Sequence, residues 1–147
     1  MAEPPLEVFR GKHLEIVSDA ELAQRGMSAY ELLAQADVLV TDHSSVWIDY
    51  LLMDRPVIFS IADLAEYSST RGHYFAPLED VLPGPVVDSV DDLFAALNTT
   101  FSDEQVQARW RAKRAESTSL HHRFIDDSSS ERVAAEIERR LVRHTCP

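Results

Sequence analysis

The sequence predicts an α/β fold built on a parallel sheet. Patterned segments between residues 13 and 60 alternate strand, helix, strand, helix, strand. The connectors between them are short, which favours parallel strands with helical crossovers. The run ADVLVTD is rich in β-branched residues and too short for a helix, as a strand covered on both faces would be.

The elements follow in order. His13 to Val17 reads as a short strand. In SAYELLAQA, Ser28 and Glu31 have the spacing of a capping box, and Tyr30, Leu33 and Ala34 form an apolar stripe, so a helix is predicted. Val38 to Thr41 is predicted as a buried parallel strand. A second helix runs from Ser44 to Met53, where Arg55-Pro56 breaks it. Pro56 to Ser60 is the next strand, completing a β-α-β-α-β core over 13–60. Residues 61–88 hold three of the seven prolines and two of the four glycines and read as an irregular loop, a length that in a compact domain is usually functional. The remainder, 89–142, is helical. Ser89 opens VDDLFAALN. Ser102 with Gln105 caps a helix that turns Val106 and Trp110 inward. Ser128 with Glu131 caps the last, with Val133, Ile137 and Leu141 at i+4 spacing. The 147 residues form one domain without repeats.

Composition narrows the function classes. The chain is 45% apolar, enough for a core, and carries a formal net charge of −11. That charge opposes nucleic-acid binding by bulk electrostatics, so no nucleic acid is expected as a partner. It is also unevenly divided: residues 1–102 carry −12 and the remainder +1. The basic residues gather in ARWRAKRAE, where Arg109, Arg111, Lys113 and Arg114 form either a solvated helix face or a small patch for an anionic lipid or substrate. The single cysteine, Cys146, cannot form an internal disulfide, which fits a reducing cytoplasmic setting. The N-terminal MAEPPLEVFRGKH lacks a signal-peptide pattern, and Val46 to Ala62 is too short and too charged to span a bilayer. Membrane contact, if any, is peripheral, at the cytoplasmic face.

The chemistry concentrates at Asp42-His43-Ser44-Ser45, where a predicted strand ends and a helix begins. Ligands of open α/β sheets collect outside the carboxyl ends of strands. The first amides of a helix lack intrahelical partners, and two hydroxyls beside them add donors for a phosphate. The plainer alternative is that Ser44 is an ordinary N-cap. No metal or cofactor is expected. Asp63, Glu66, Glu79 and Asp80 read as solvated acids, and His121-His122 as capping or surface residues, because adjacent helical side chains point about 100° apart. Trp47 and Trp110 read as core aromatics, and His73 as a loop residue.

Three blocks carry a resemblance. ADVLVTDHSSVWIDYLLMDRPVIF resembles the pattern aDvLITDYSSvxfDylLldkPiiF. Tyr67 followed by RGHYFAPLEDVLPGPVV resembles eYrxxRGfYfdyeeelPGPiv. FIDDSSSERVAAEI resembles fnDGxaSeRvvdxI. All three patterns belong to the CDP-glycerol glycerophosphotransferases, the teichoic-acid polymerases and primases. The resemblance implies a partial Rossmann-like domain, the C-terminal donor-binding part of a GT-B transferase, with flanking helices and a helical C-terminus. It implies transfer of glycerol phosphate from CDP-glycerol to a lipid-linked polymer acceptor. Ser44, Ser45, His43 and Arg71 would bind the donor phosphates. Asp42, Asp49, Asp126 and Arg132 are motif positions without an assigned role. The acceptor domain, the first part of the donor domain and the catalytic base would lie upstream, or on a partner chain supplying the absent half. His43 replaces the family's tyrosine, and Asp127 its glycine, so the donor contact of the third block is weakened. The alternatives are a non-catalytic nucleotide- or partner-binding module and a fragment of a GT-B transferase using a nucleotide sugar.

Overall fold

A computed structural model describes residues 13–61 and 81–145, with side chains as far as 141. The elements are α1 (Asp19–Gln24), α2 (Ala29–Leu33), β1 (Leu39–Thr41), α3 (Val46–Tyr50) continued by a 3-10 turn (Leu51–Met53), β2 (Val57–Ser60), β3 (Val86–Val87), α4 (Val90–Ser102), α5 (Glu104–His121) and α6 (Ser129–Thr145). The three strands form one parallel sheet in the order β1-β2-β3. Leu39 is in register with Val57, and Phe59 with Val86.

The core forms where β2 meets α3. Val57, Ile58 and Phe59 are buried at successive positions, as the middle strand of a covered parallel sheet requires. Trp47, Tyr50 and Leu51 pack over them, and the Trp47 and Phe59 rings meet edge to face at 5.8 Å. α4 packs on β2 and β3, and α5 on the 3-10 turn. The buried Tyr50 hydroxyl donates to the Ala36 carbonyl at 2.7 Å, and Arg55 Nη1 donates to the carbonyls of Ala34 and Ala36. These two side chains satisfy carbonyls that the end of α2 leaves unpaired.

Several elements depart from the sequence reading. Residues 13–17 form no ladder strand: Leu14 makes a single bridge and is half exposed, and the sheet begins at β1. After it stands the unpredicted α1, opened by a capping box in which Ser18 Oγ accepts the Glu21 N–H and Glu21 accepts the Ser18 N–H. The capping box of Ser28 and Glu31 forms as expected. β1 is parallel but not buried, because it is the edge strand of the described sheet and Val40 is 41% exposed. Residues 61–88 are not wholly irregular. β3 forms within them, and the preceding Pro83-Gly84 is buried, with no room for a side chain at Gly84: a Cβ there would lie 1.9 Å from the Val57 carbonyl oxygen. The helix cap placed at Ser102 belongs to Asp103, whose carboxylate accepts the N–H groups of Gln105 and Val106. Ser102 instead ends α4. Before α6, Asp126 Oδ1 accepts the Ser128 N–H. The α6 stripe of Val133, Ile137 and Leu141 exists as predicted, and all three side chains are more than half exposed. Trp47 is a core residue, whereas Trp110 is half-buried and lines a cleft.

Candidate functional site

The strand-to-helix junction lies at the carboxyl end of the sheet. β1 ends at Thr41, Asp42 to Ser45 turn the chain, and α3 starts at Val46. The turn is made by Asp42, whose Oδ1 accepts the Ser44 N–H at 2.9 Å, an aspartate side chain closing a local turn on its own backbone. Ser44 Oγ accepts the Val46 N–H at 3.4 Å, a long and weak capping contact. Ser45 occupies the N-cap position in a helical conformation, and its hydroxyl makes no capping bond. Both serines are exposed. The N-cap alternative therefore fits Ser44 only weakly, and the Ser45 hydroxyl makes no capping bond either.

Asp42 is exposed, and among the described residues no basic side chain pairs with it. Its bond to the Ser44 amide orients one carboxylate oxygen toward the turn. His43 is half-buried, with Nδ1 enclosed by protein. Asp49 lies one turn along α3 and accepts the Tyr30 hydroxyl at 3.1 Å, which ties α3 to α2. That hydrogen bond, and the carboxylate charge behind it, push the Tyr30 hydroxyl above its ordinary pKa. Arg71, His73, Asp63, Glu66, Glu79 and Asp80 lie outside the described residues.

The third motif block forms a separate group. Arg132 Nη1 lies 2.9 and 3.1 Å from the two oxygens of Asp126, and its Nη2 donates to Ser129 Oγ at 3.0 Å. The same guanidinium stacks on Phe124, 4.0 Å from the ring centre. The Ser128 amide first, and then Arg132, hold the Asp126 carboxyl below its ordinary pKa. Asp126 and Arg132 satisfy each other, and no hydrogen bond or ion pair joins them to Asp42–Ser45 among the described residues.

His121 and His122 join the end of α5 to α3, a role the sequence reading of capping or surface histidines did not foresee. His122 Nε2 donates to the Ile48 carbonyl at 2.8 Å. His121 Nδ1 donates to the Ser117 carbonyl, and its ring meets Trp47 edge to face at 5.0 Å. Nothing in the residue spacing signals a bond across 74 positions. No cluster of three ligand-type residues that could hold a metal occurs among the described residues, and no described helix is long and apolar enough to cross a membrane.

Comparison with known proteins gives a consistent set of relatives. The model of the family described as CDP-glycerol:poly(glycerophosphate) glycerophosphotransferase matches residues 10–139. The teichoic acid ribitol-phosphate primase of Bacillus spizizenii is 37% identical over 107 residues, covering 73% of this chain and 26% of the relative. The ribitol-phosphate polymerase TarK of Staphylococcus aureus is 34% identical over 75% of this chain and 20% of its own length. The poly(glycerol phosphate) polymerase of Bacillus subtilis is 35% identical over 52% of this chain and 11% of its own. Among solved structures, the wall teichoic acid polymerase TagF, in a variant soaked with CDPG, superposes with a TM-score of 0.62 at 27% identity, over 80% of this chain and 29% of that one. The chain thus spans about a quarter or less of the curated relatives it matches.

Proposed function

Because the chain belongs to the CDP-glycerol:poly(glycerophosphate) glycerophosphotransferase family, we propose that it forms the donor-binding part of an enzyme that transfers glycerol phosphate from CDP-glycerol to a lipid-linked acceptor in teichoic-acid synthesis. The observation that carries this reading is the pair of exposed hydroxyls, Ser44 and Ser45, at the carboxyl end of a parallel strand. That is where an open α/β sheet receives a ligand. The Ser44 and Ser45 hydroxyls hold the donor's diphosphate oxygens, with the His43 imidazole beside them. Arg71 adds a guanidinium, whose fork suits a phosphate and whose charge offsets Asp42. Asp42 shapes the turn, Asp49 fixes α3 against α2, and Asp126 with Arg132 shapes the start of α6.

In the reaction an acceptor hydroxyl oxygen attacks the phosphorus bearing glycerol. A new P–O bond forms as the bond to CMP breaks, and CMP leaves with the electron pair. The acceptor's proton passes to a base supplied by polypeptide outside this chain. The donor-binding residues contribute by positioning the phosphates and neutralising their charge, the dominant contributions in phosphoryl transfer. The same outside polypeptide, upstream or on a partner chain, binds the acceptor, and the assembly works at the cytoplasmic face of the membrane as a peripheral protein.

A second donor has specific support: the primase and TarK relatives handle ribitol phosphate. Calorimetric titration with CDP-glycerol, CDP-ribitol and UDP-glucose separates the readings. Preference for CDP-glycerol is expected, and preference for CDP-ribitol would move the donor to the longer polyol. In Ser44→Ala/Ser45→Ala the affinity should fall at least tenfold, about 1.4 kcal/mol, with an unchanged melting temperature. Tighter binding of UDP-glucose would support a nucleotide-sugar transferase. A folded chain that binds none of the three would be a non-catalytic module.

A further inference from the structure

The opposite end of the sheet carries a cleft that the donor reading does not use. β2 enters the sheet at Val57, and the residues before it, Asp54-Arg55-Pro56, form one wall. The other wall comes from the end of α4 and one face of α5, where Trp110, Arg111 and Arg114 align at helical spacing. The cleft measures about 230 Å³. That is below the range of a drug-sized pocket and suits a small ligand.

Its charge is the opposite of the chain's. Three arginines, Arg55, Arg111 and Arg114, are among its lining residues against the single acid Asp54, a local surplus of two formal positive charges in a chain of net −11. Arg114 is 5% exposed and donates from Nε to Asp54 Oδ1 at 3.0 Å and from Nη2 to the Asp54 carbonyl. Arg55 spends its Nη1 on two carbonyls, which leaves its charge uncompensated. Arg111 makes no hydrogen bond or ion pair among the described residues. Arg109 lies over the Trp110 ring at 4.8 Å and adds a cation beside the cleft. Between these charges the walls are apolar: Pro56, Val57, Phe101 and Trp110.

We propose that this cleft is a binding site for a small phosphate monoester. A monoester carries close to two negative charges near neutral pH, which matches the surplus, whereas a carboxylate or a phosphodiester leaves one charge unanswered. The guanidinium fork of the exposed Arg111 suits its oxygens, Arg114 adds charge behind it while bonded to Asp54, and the indole and phenyl walls cover its organic part.

The two tryptophans report directly on this. One, Trp47, is buried in the core and the other, Trp110, lines the cleft. Phenyl phosphate titrated into the full chain should shift the Trp110 indole N–H resonance, assigned with Trp110→Phe, and leave that of Trp47 in place. Arg111→Glu should weaken the binding at least tenfold. Arg111 is exposed and unpaired, so the variant keeps its fold, and Arg111→Gln should give an intermediate loss. Benzoate should bind more weakly than phenyl phosphate, and Ser44→Ala/Ser45→Ala should bind it as the wild type does, which keeps this test independent of the donor reading. The proposal is overturned by a static Trp110 signal, by equal binding to Arg111→Glu, or by benzoate binding as tightly. Binding to phosphatidylglycerol vesicles that phenyl phosphate fails to displace would reassign the cleft to a lipid phosphodiester and likewise overturn it.

Discussion

At its amino end the sheet is locked by buried and paired groups: Gly84 pressed on the Val57 carbonyl, Arg114 bonded to Asp54, and Arg55 closing the end of α2. At its carboxyl end it finishes in an exposed turn, where Asp42 bonds a backbone amide two residues on and two serines face solvent. Both ends follow from the same short parallel strands, and they divide the labour. Rigidity is concentrated where the strands enter, and donor groups stay free where the strands leave. Substitutions of these packed groups should therefore cost stability at the first end, and substitutions of the two serines should cost donor affinity at the second.

The hardest test of that division is Gly84→Ala. Its Cβ would overlap backbone, the Val57 carbonyl oxygen at 1.9 Å, and no side chain can rotate out of the way. β3 must move off β2, and the loss should be roughly 3 kcal/mol or more, in the range of severe core overpacking. Denaturant unfolding measures it, and a change below 1 kcal/mol would show that the Pro83-Gly84-Pro85 segment is free to shift.

A smaller loss is expected for Arg114→Met, which keeps the buried stem and removes the charge. Two hydrogen bonds from a guanidinium disappear. Asp54 is itself well exposed, so its carboxylate regains water and the cost stays near 2 kcal/mol, below that of breaking a fully buried pair. Asp54 also sits at φ 48°, a left-handed conformation that its bonds to Arg114 help to hold. Asp54→Gly relieves the backbone strain but leaves the buried Arg114 charge without its carboxylate, so it should destabilise at least as much as Arg114→Met. A smaller loss in Asp54→Gly would mean that relief of the left-handed backbone outweighs the unpaired guanidinium.

What the sequence disclosed depended on how local the signal was. The capping box at Ser28, the helix ending at Met53 and the strand at Val57 were legible because each lies in a window of a few residues. Ser18 and Glu21 carry the same capping spacing as Ser28 and Glu31, but the β-branched Ile16-Val17 just before them signals a strand and masks α1. β3 was hidden by its length of two residues and by the flanking prolines, whose meaning emerges only when Gly84 meets Val57. The burial of β1 was overestimated because composition cannot distinguish an edge strand from a central one. Asp42 to Ser45 stand out in the sequence through the strand-to-helix change and the motif. The bonds of His122 to Ile48 and Tyr30 to Asp49 were not, since side chains 74 and 19 positions apart share no local pattern. The α6 stripe was read correctly as apolar, but a periodic pattern does not name the surface it meets.

The weakest expected effect concerns Asp126, at the exposed connection between α5 and α6. Its carboxyl is held below its ordinary value of 3.8, chiefly by the Ser128 amide and secondarily by Arg132. A carboxyl depressed in the folded state stabilises the fold fully above its unfolded pKa and loses that contribution as pH falls through the folded one. The melting temperature of the wild type should thus exceed that of Asp126→Asn slightly at neutral pH, and the gap should close as pH falls below about 4. Carbon NMR titration of the carboxyl separates the two causes. In Arg132→Ala the Asp126 pKa should rise only part of the way, because the Ser128 N–H still donates to Oδ1. A full return to the ordinary value would mean that the arginine, not the backbone, sets the charge at this turn. Exposed stabilisation at the open side of the molecule would then rest on side chains alone, against the pattern seen at Asp42, where the backbone amide of Ser44 is the partner.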